Sequence, residues 1–580
     1  MRYRVLAVDY DGTLATDGKV FPQAVAALEE VRASGRQLIL VTGRELPELL
    51  EIFPQIEVFD RVVAENGALL YRPATKESEV LAPPASEPLV EELRKRRVEP
   101  LSVGATIVAT LKPNATTVLE AIEQLGLEMQ VIFNKSAAMV LPANVNKASG
   151  LMAALEELGL SAHNVVAIGD GENDHAMLQL AEYSAAVANA IPALREAADR
   201  TTRGSHGKGV IELIEDLVAT DLQTPHLLSQ RRAVQLGTRE TGRPVTLPPA
   251  GISLLVAGSS GSGKSSLATG MLERLAAQGY QFCVVDPEGD YEAFPGAIVF
   301  GSSERAPSIA EIGTALAKPA ASIVVNLVSL PLQDRPEFFA SLLPRLFEMR
   351  AKTGRPHWIL VDETHHLLPS DWQPAPMILP EELTSMIYVT VHPESVAPAV
   401  LSRVDVVAAL GAAPDKAIRS FCKAVEASQP PLPEVSIGPG KALLWMRRSR
   451  ERPFVLDILP GQTDRRRHRR KYAEGELPPE RSFFFRGPDE ALNLRAQNLV
   501  LFMQVGDGVD DRTWLHHLYQ GDYSKWMKSS IKDDVLADEV RAIEGDEGLS
   551  PAESRRQVRA AIEKHYTLPA REGGVVSLQR

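Results

Sequence analysis

The chain has 580 residues, several times the usual ~100–200 per domain, so three or four domains are expected. Its 75 acidic and 62 basic residues leave a net charge of −13, so bulk charge does not point to nucleic acid and any such site must be a local basic patch. Cys283 and Cys422 lie in different segments without metal-ligand spacing, which argues for a reducing cytosol over a disulfide framework. No apolar run approaches the ~18 residues of a membrane span, and the N-terminus lacks the apolar stretch of a signal peptide, so the expected location is cytoplasmic with no membrane partner.

From residue 1 to 217 short apolar strands alternate with amphipathic helices, the pattern of an α/β parallel sheet. The first strand ends in "VLAVDYDGT", with Asp9 at its carboxyl end and Asp11 two residues on. Ligands of open α/β sheets bind outside the carboxyl ends of the strands. Two carboxylates there repel unless a cation sits between them or one is protonated. The next strand ends in "LVTGR", where Thr42 and nearby backbone N–H groups suit a phosphate. Lys147 follows in "NVNKASG", and "AIGDGEND" clusters Asp170 and Asp174 at a further strand end.

This ordered set resembles the haloacid dehalogenase superfamily of phosphohydrolases, and "VVAENGALL" (62–70) resembles its Cof-type branch. The resemblance implies a Rossmann-like core with an inserted α/β cap at about 72–145, closing over a small phosphate ester such as a sugar phosphate or phosphoglycolate. It implies Asp9 as nucleophile, forming an aspartyl-phosphate, and Asp11 as acid and then base. Lys147 would neutralise the phosphoryl group, with Thr42, Gly43 and Asn173 around the phosphate. Mg²⁺ would be held by Asp9, Asp11 (through its carbonyl), Asp170 and Asp174.

Residues 218–250 read as a linker with room for one hairpin, and a second α/β alternation runs over 251–458. The stretch "GSSGSGKSS" follows a strand and opens a helix, which is the context a P-loop requires. Gly258, Ser259, Gly261, Gly263 and Ser266 shape the cradle, Lys264 reaches the β/γ-phosphates of ATP, and Ser265 can bind Mg²⁺. In "HWILVDETHH" Asp362 ends a strand where it can hold Mg²⁺ through water, and Glu363 is placed to polarise an attacking water. An acidic pair of this kind favours hydrolysis over phosphoryl transfer to an acceptor.

The strand ending "CVVDPEGDYEAF" resembles the Asp-Pro-x-Gly-(Asp/Glu)-Tyr signature of HerA/FtsK-type ATPases, and "VQLGTRETGRPVTLP" resembles their lead-in segment. The resemblance covers 233–458. It implies a homo-oligomeric, hexameric ring with a polar γ-phosphate sensor and an arginine acting in trans. "SMIYVTVHPES" offers Thr390 and His392 where the family more often has Thr-Gln, and Arg403 is the arginine candidate.

The basic run "DRRRHRRK" (464–471) lies in a linker at 459–475 and suits either a nucleic-acid backbone or a solvated, subunit-contacting role. Residues 476–580 read as a helical module in which the adjacent His516 and His517 point apart. The leading reading is a Mg²⁺-dependent phosphatase fused to an ATPase. Two alternatives stand beside it: a nucleic-acid end-processing phosphatase/kinase, and an ATP-gated oligomeric scaffold.

Overall fold

The computed structural model describes residues 1–222, 231–259, 262–371, 383–433, 437–449, 451–462, 477, 479–531, 533–546 and 548–565. It forms two compact units, Met1–Gly461 and Gln462–Arg580.

The first unit opens with β1 (Val5–Asp9), β2 (Gln37–Val41), β3 (Arg61–Ala64), β4 (Leu69–Arg72) and β5 (Glu77–Val80). Four shorter-range strands follow: β6 (Ser102–Val103), β7 (Val108–Leu111), β8 (Met129–Asn134) and β9 (Ala137–Pro142). The chain then returns to the first sheet with β10 (Val165–Gly169), β11 (Tyr183–Ala186) and β12 (Arg200–Thr201). The large sheet has the order β12-β11-β10-β1-β2-β3-β4-β5, and β6-β7-β9-β8 forms a separate sheet. Every residue of β1 and β10 is buried, as uninterrupted apolar runs require when helices cover both faces of a parallel sheet. The parallel register pairs Asp9 with Val41 and Val8 with Ile168, so the carboxyl ends of β1, β2 and β10 share one edge. That edge carries Asp9, Thr42 and Asp170.

One boundary differs from expectation. The inserted unit was expected from about 72, but β5 pairs with β4 and extends the large sheet to Val80. β5 gave no buried stripe to read, since all four of its residues are exposed.

The second sheet of this unit holds β13 (Val234–Arg239), β14 (Pro244–Leu247), β15 (Ser253–Gly258), β16 (Phe282–Asp286), β17 (Ala297–Phe300) and β18 (Ser322–Asn326). It is completed by β19 (Trp358–Val361), β20 (Met386–Thr390), β21 (Val406–Leu410), β22 (Lys441–Met446) and β23 (Phe454–Ile458). Their order is β14-β13-β23-β22-β21-β15-β20-β19-β16-β18-β17, with β15 to β21 parallel and the flanking strands antiparallel. Separate apolar cores cover the two faces. The supposed linker at 218–250 is therefore corrected. β13 and β14 form the hairpin for which that linker left room, and Gly237–Arg239 pair with Leu456–Ile458, so residues 234–247 belong to the sheet. Val234, Leu236, Val245 and Leu247 are buried there.

A buried polar seam joins the two sheets. Glu182, fully buried just before β11, accepts hydrogen bonds from the Tyr280 hydroxyl at 2.8 and 2.9 Å and pairs with Arg2 and with the His163 ring at 2.8 Å. Arg355 Nη2 donates to the Gly159 carbonyl at 2.7 Å, and His163 Nε2 meets the Gln278 carbonyl at 2.9 Å. Burial disfavours the charged form of Glu182, but His163 and Arg2 outweigh it and bring the carboxyl down to about 2.

The second unit packs the helices Leu499–Gly508, Asp511–Gln520, Asp522–Trp526, Asp534–Glu544 and Pro551–His565 with a ribbon of β24 (Phe483–Phe485) and β25 (Leu494–Ala496). Phe483, Phe485, Phe502, Trp514 and Tyr523 fill its core. His517 is buried, accepts from Arg486 N at 3.1 Å and meets Asp522 at 2.9 Å, while His516 faces outward to Gln520. The basic run 464–471 lies outside the described residues. No described helix is long and apolar enough to cross a membrane.

Candidate active site

Lys147 is the first residue of the helix Lys147–Leu158. Asn146 caps that helix by accepting from Ala148 N and Ser149 N, and Ser149 reciprocates to Asn146 N at 3.0 Å. The cap fixes the first turn and aims Lys147 inward. Its Nζ lies 2.5 Å from Asp9 Oδ1 and 2.5 Å from Asp174 Oδ1. Burial alone would lower the lysine's pKa, yet Asp174 and Asp9 raise it on balance, so the ammonium stays charged. Asp9 moves the other way: burial and then Asp174 push its carboxyl well above the ordinary range, against the pull of Lys147.

Asp174 also shapes the loop after β10. Its Oδ2 accepts from Asp170 N at 2.9 Å and Gly171 N at 2.8 Å. Asp9, Asp170 and Asp174 each bring one oxygen within 4.8 Å of the others. Asn173 Oδ1 is buried without a hydrogen bond, and Asp170 Oδ2, also buried, has the Lys135 ammonium against it at 2.7 Å. A cluster of three buried carboxylates with an all-oxygen donor set fits a hard divalent cation such as Mg²⁺.

Thr42 is fully buried, with its hydroxyl accepting from Arg44 N at 3.2 Å. Gly43 faces Asn66 and Asn173, whose side chains are joined at 3.0 Å. Asp11 is the site residue whose carboxylate turns away from the acidic cluster. Arg44 holds it in a two-bond fork, with Nε and Nη2 each at 2.7 Å. As a metal ligand Asp11 therefore has only its backbone carbonyl to offer; its carboxylate is committed elsewhere.

Several participants escaped the sequence reading. Arg44 and Asn66 sat inside quoted motifs without a role. Glu65, at φ +49 and 2% exposed, receives backbone N–H groups of Ala105, Thr106 and Ile107 at 3.0, 2.8 and 3.1 Å, tying the large sheet to the inserted unit. Lys135, in the turn between β8 and β9, places Nζ 2.7 Å from Asp170 Oδ2. No spacing rule brings that turn to β10.

The second site lies at the carboxyl ends of β15, β19 and β20. Gly258 has φ +155, and a Cβ there would meet the Leu410 carbonyl at 2.4 Å, so the cradle excludes any larger residue. Gly263, at φ +98, leads into the helix Lys264–Ala277, and Lys264 Nζ donates to the Ser259 carbonyl at 3.0 Å. Ser265 and Ser266 occupy the first turn of that helix, whose N–H groups suit phosphate. Gly261 lies outside the described residues.

Asp362 is buried, and burial, then Asp286 and Glu363, push its carboxyl well up. Glu363 follows at φ +38. Asp286, pushed up to about 7 by burial, is the organiser of its loop and accepts from Glu288, Gly289 and Tyr291 N–H groups at 2.7–3.1 Å. Thr390 is buried and meets His365 Nδ1 at 3.1 Å, while His392 donates its backbone N–H to the Thr390 hydroxyl at 3.1 Å, sets its ring edge-on to His365 and pairs its side chain with Glu394 on the surface. His365, unmentioned in the sequence reading, also lies 3.5 Å from Glu363 Oε2. Burial, then His366 and His392, lowers its imidazole to about 4, so it is neutral at pH 7. Arg403 is exposed and precedes β21, which runs parallel to β15 with Leu410 opposite Gly258. It therefore stands at the opposite end of the sheet from the P-loop of its own chain.

Residues 6–116 and 107–214 match the model of haloacid dehalogenase-like hydrolases, and residues 239–345 match that of the helicase HerA central domain. The chain is 36% identical over 221 residues to a phosphoglycolate phosphatase of Methanothermobacter thermautotrophicus, spanning 36% of this chain and 97% of that protein. It is 28% identical over 225 residues to phosphoglycolate phosphatase 2 of Saccharolobus solfataricus, spanning 37% and 92%. A haloacid dehalogenase-like hydrolase structure from Bacteroides thetaiotaomicron aligns at 21% identity and a TM-score of 0.33, covering 37% of this chain and 99% of that one.

Proposed function

We propose, on the premise that the chain belongs through its N-terminal region to the haloacid dehalogenase-like hydrolases, that residues 1–217 hydrolyse a small phosphate monoester of the phosphoglycolate type and that residues 233–458 hydrolyse ATP. The observation that carries the first half is the buried Lys147 bridging Asp9 and Asp174 beside Asp170. Asp9 attacks the phosphoryl group and forms an aspartyl-phosphate. Lys147 spreads the charge of the group it faces. Asp11, oriented by the Arg44 fork, protonates the leaving alcohol and then takes a proton from water. Thr42 and Gly43 hold phosphate oxygens. Asp9, Asp170 and Asp174, with the Asp11 carbonyl, would hold Mg²⁺, which when bound neutralises phosphoryl charge. The inserted unit over β6–β9 excludes water and selects the substrate.

In the second site Lys264 and the backbone of the cradle bind the ATP phosphates, with Ser265 and Asp362 as the Mg²⁺ ligands. Glu363, held beside the neutral His365, orients the attacking water. Assembly into a ring and nucleic-acid contact through 464–471 belong to the same reading of the HerA-like region, as does a cytoplasmic location.

A second reading is favoured by the buried seam around Glu182: ATP binding regulates the phosphatase, because the two sheets share one polar core. Two variants test the main reading. Asp9→Asn should abolish phosphate release from 2-phosphoglycolate while ATP turnover persists, and Lys264→Ala should do the reverse. Unchanged phosphatase activity in Asp9→Asn would remove the first assignment, and unchanged ATP turnover in Lys264→Ala the second.

A further inference from the structure

The cations at the phosphatase site have different commitments. Lys147 is buried between Asp9 and Asp174. Arg44 is engaged with Asp11 and Glu48. Lys135 is different: it reaches down from the inserted unit, and its side chain is 49% exposed although its amine lies 2.7 Å from Asp170. An ammonium has three donors, so contact with one Asp170 oxygen leaves capacity for another acceptor.

The position of Lys135 is built. It sits at φ +50 in the tight turn joining β8 to β9, where its N–H donates to Glu172 Oε2 at 3.2 Å. The preceding Asn134 side chain lies against Gly171, where an added Cβ would come within 2.6 Å of Asn134 Oδ1. On the other side, a Cβ on Gly12 would come within 2.3 Å of Lys135 Nζ. Small residues at 12 and 171 thus leave room for this turn to enter over the acidic cluster. The charges of Asp170, Asp9 and Asp11 all act on the amine. Lys135 thus reaches the catalytic carboxylates from the inserted unit, the part of the chain that the phosphatase reading puts over the substrate.

We propose that Lys135 is the specificity-determining residue of the phosphatase site: it binds a carboxylate carried on the carbon next to the ester oxygen, and so selects anionic substrates of the 2-phosphoglycolate class. The inference rests on the phosphatase reading above. A second negative group close to the phosphate is otherwise repelled by Asp9, Asp11 and Asp170, so acceptance of such a substrate requires a local cation. Lysine on a turn of the inserted unit supplies one.

The test compares 2-phosphoglycolate with ethyl phosphate, which keeps the two-carbon skeleton and replaces the carboxylate with a methyl group. The full-length protein is assayed as wild type, Lys135→Met and Lys135→Arg, with thermal unfolding of each as a control. Wild type should prefer 2-phosphoglycolate. Lys135→Met should lower the ratio of the two kcat/KM values roughly 10- to 100-fold, mainly through KM for 2-phosphoglycolate. Lys135→Arg should restore most of the ratio. A ratio unchanged in Lys135→Met, whether both activities fall together or neither falls, overturns the proposal and leaves the phosphatase reading standing. Failure of wild type to hydrolyse either ester overturns the phosphatase reading itself, and this inference with it.

Discussion

The imidazole of His163 stacks on the phenol ring of Tyr280, with ring centroids 3.7 Å apart and planes 22° from parallel. The first residue precedes β10 of the phosphatase sheet and the second precedes β16 of the P-loop sheet. Both contact Glu182, so one buried carboxylate is shared by two domains that sequence reasoning treats as separate. Tyr280→Phe keeps the stack and removes the hydroxyl. It should cost about 1.5–3 kcal/mol, the scale of a hydrogen bond to a charged group. Urea unfolding of wild type and variant measures it, and an unchanged midpoint would mean that Glu182 does not depend on this donor.

The same carboxylate makes stability pH-dependent. Its folded value, about 2, lies below the ordinary 4.5, so its stabilisation is fully present above pH 4.5 and is lost as pH falls toward 2. His357, held well below 6.5 first by burial, acts in the same direction from pH 6.5 downward, since acid must protonate a ring the fold keeps neutral. Thermal unfolding followed from pH 7 to pH 3 should show falling stability throughout. In Glu182→Gln the loss below pH 4.5 should be smaller than in wild type.

Glu65 is the hinge clamp of the inserted unit. Glu65→Ala leaves three backbone N–H groups of residues 105–107 without their acceptor. Limited proteolysis should cut the variant near that segment faster than wild type, with KM for the phosphate ester raised. Equal cutting rates would assign the closure of this segment to other contacts.

Arg44 orients Asp11 through two parallel bonds, a geometry lysine cannot reproduce. Arg44→Lys should lower kcat of the phosphatase by roughly 10- to 100-fold through misplacement of the acid. KM should change much less. A loss confined to KM would place Arg44 in substrate binding.

At the second site, Glu363→Gln should retain ATP binding and lose at least about a hundredfold in turnover. Equilibrium nucleotide binding and phosphate release, measured on the same preparation, separate the two. His365→Ala should reduce turnover in the same sense, because the neutral ring stands between Glu363 and Thr390. His392→Ala, which removes a surface ion pair and one ring edge beside His365, should reduce turnover much less.

The chemistry-bearing residues were legible because strand ends punctuate the sequence. Asp9, Thr42 and Asp170 each close an apolar run, and parallel pairing then brings such ends to one edge without further information. Gly258 and Lys264 were legible for a similar reason, since a strand, a glycine-rich turn and a helix are contiguous in the chain. A hairpin was expected within 218–250, but its place in the P-loop sheet was not legible, because its partner β23 lies more than two hundred residues away. Arg403 was expected to act in trans on a neighbouring subunit, and the parallel register, which puts it at the end of the sheet away from its own P-loop, bears only on its own site.

By itself the sequence determined two α/β sheets, the acidic cluster of one and the phosphate cradle of the other, because these depend on local runs and on strand-end chemistry. Only the tertiary structure decided that Asp11 belongs to Arg44, that Lys135 descends onto Asp170, and that Glu182 joins the two sheets. Each is a contact between side chains 33 to 98 residues apart in the chain but adjacent in space, and none leaves a periodic trace along the chain. Their physical cause is common: a buried or crowded carboxylate must find a cation or donor, and packing alone determines which one is within reach.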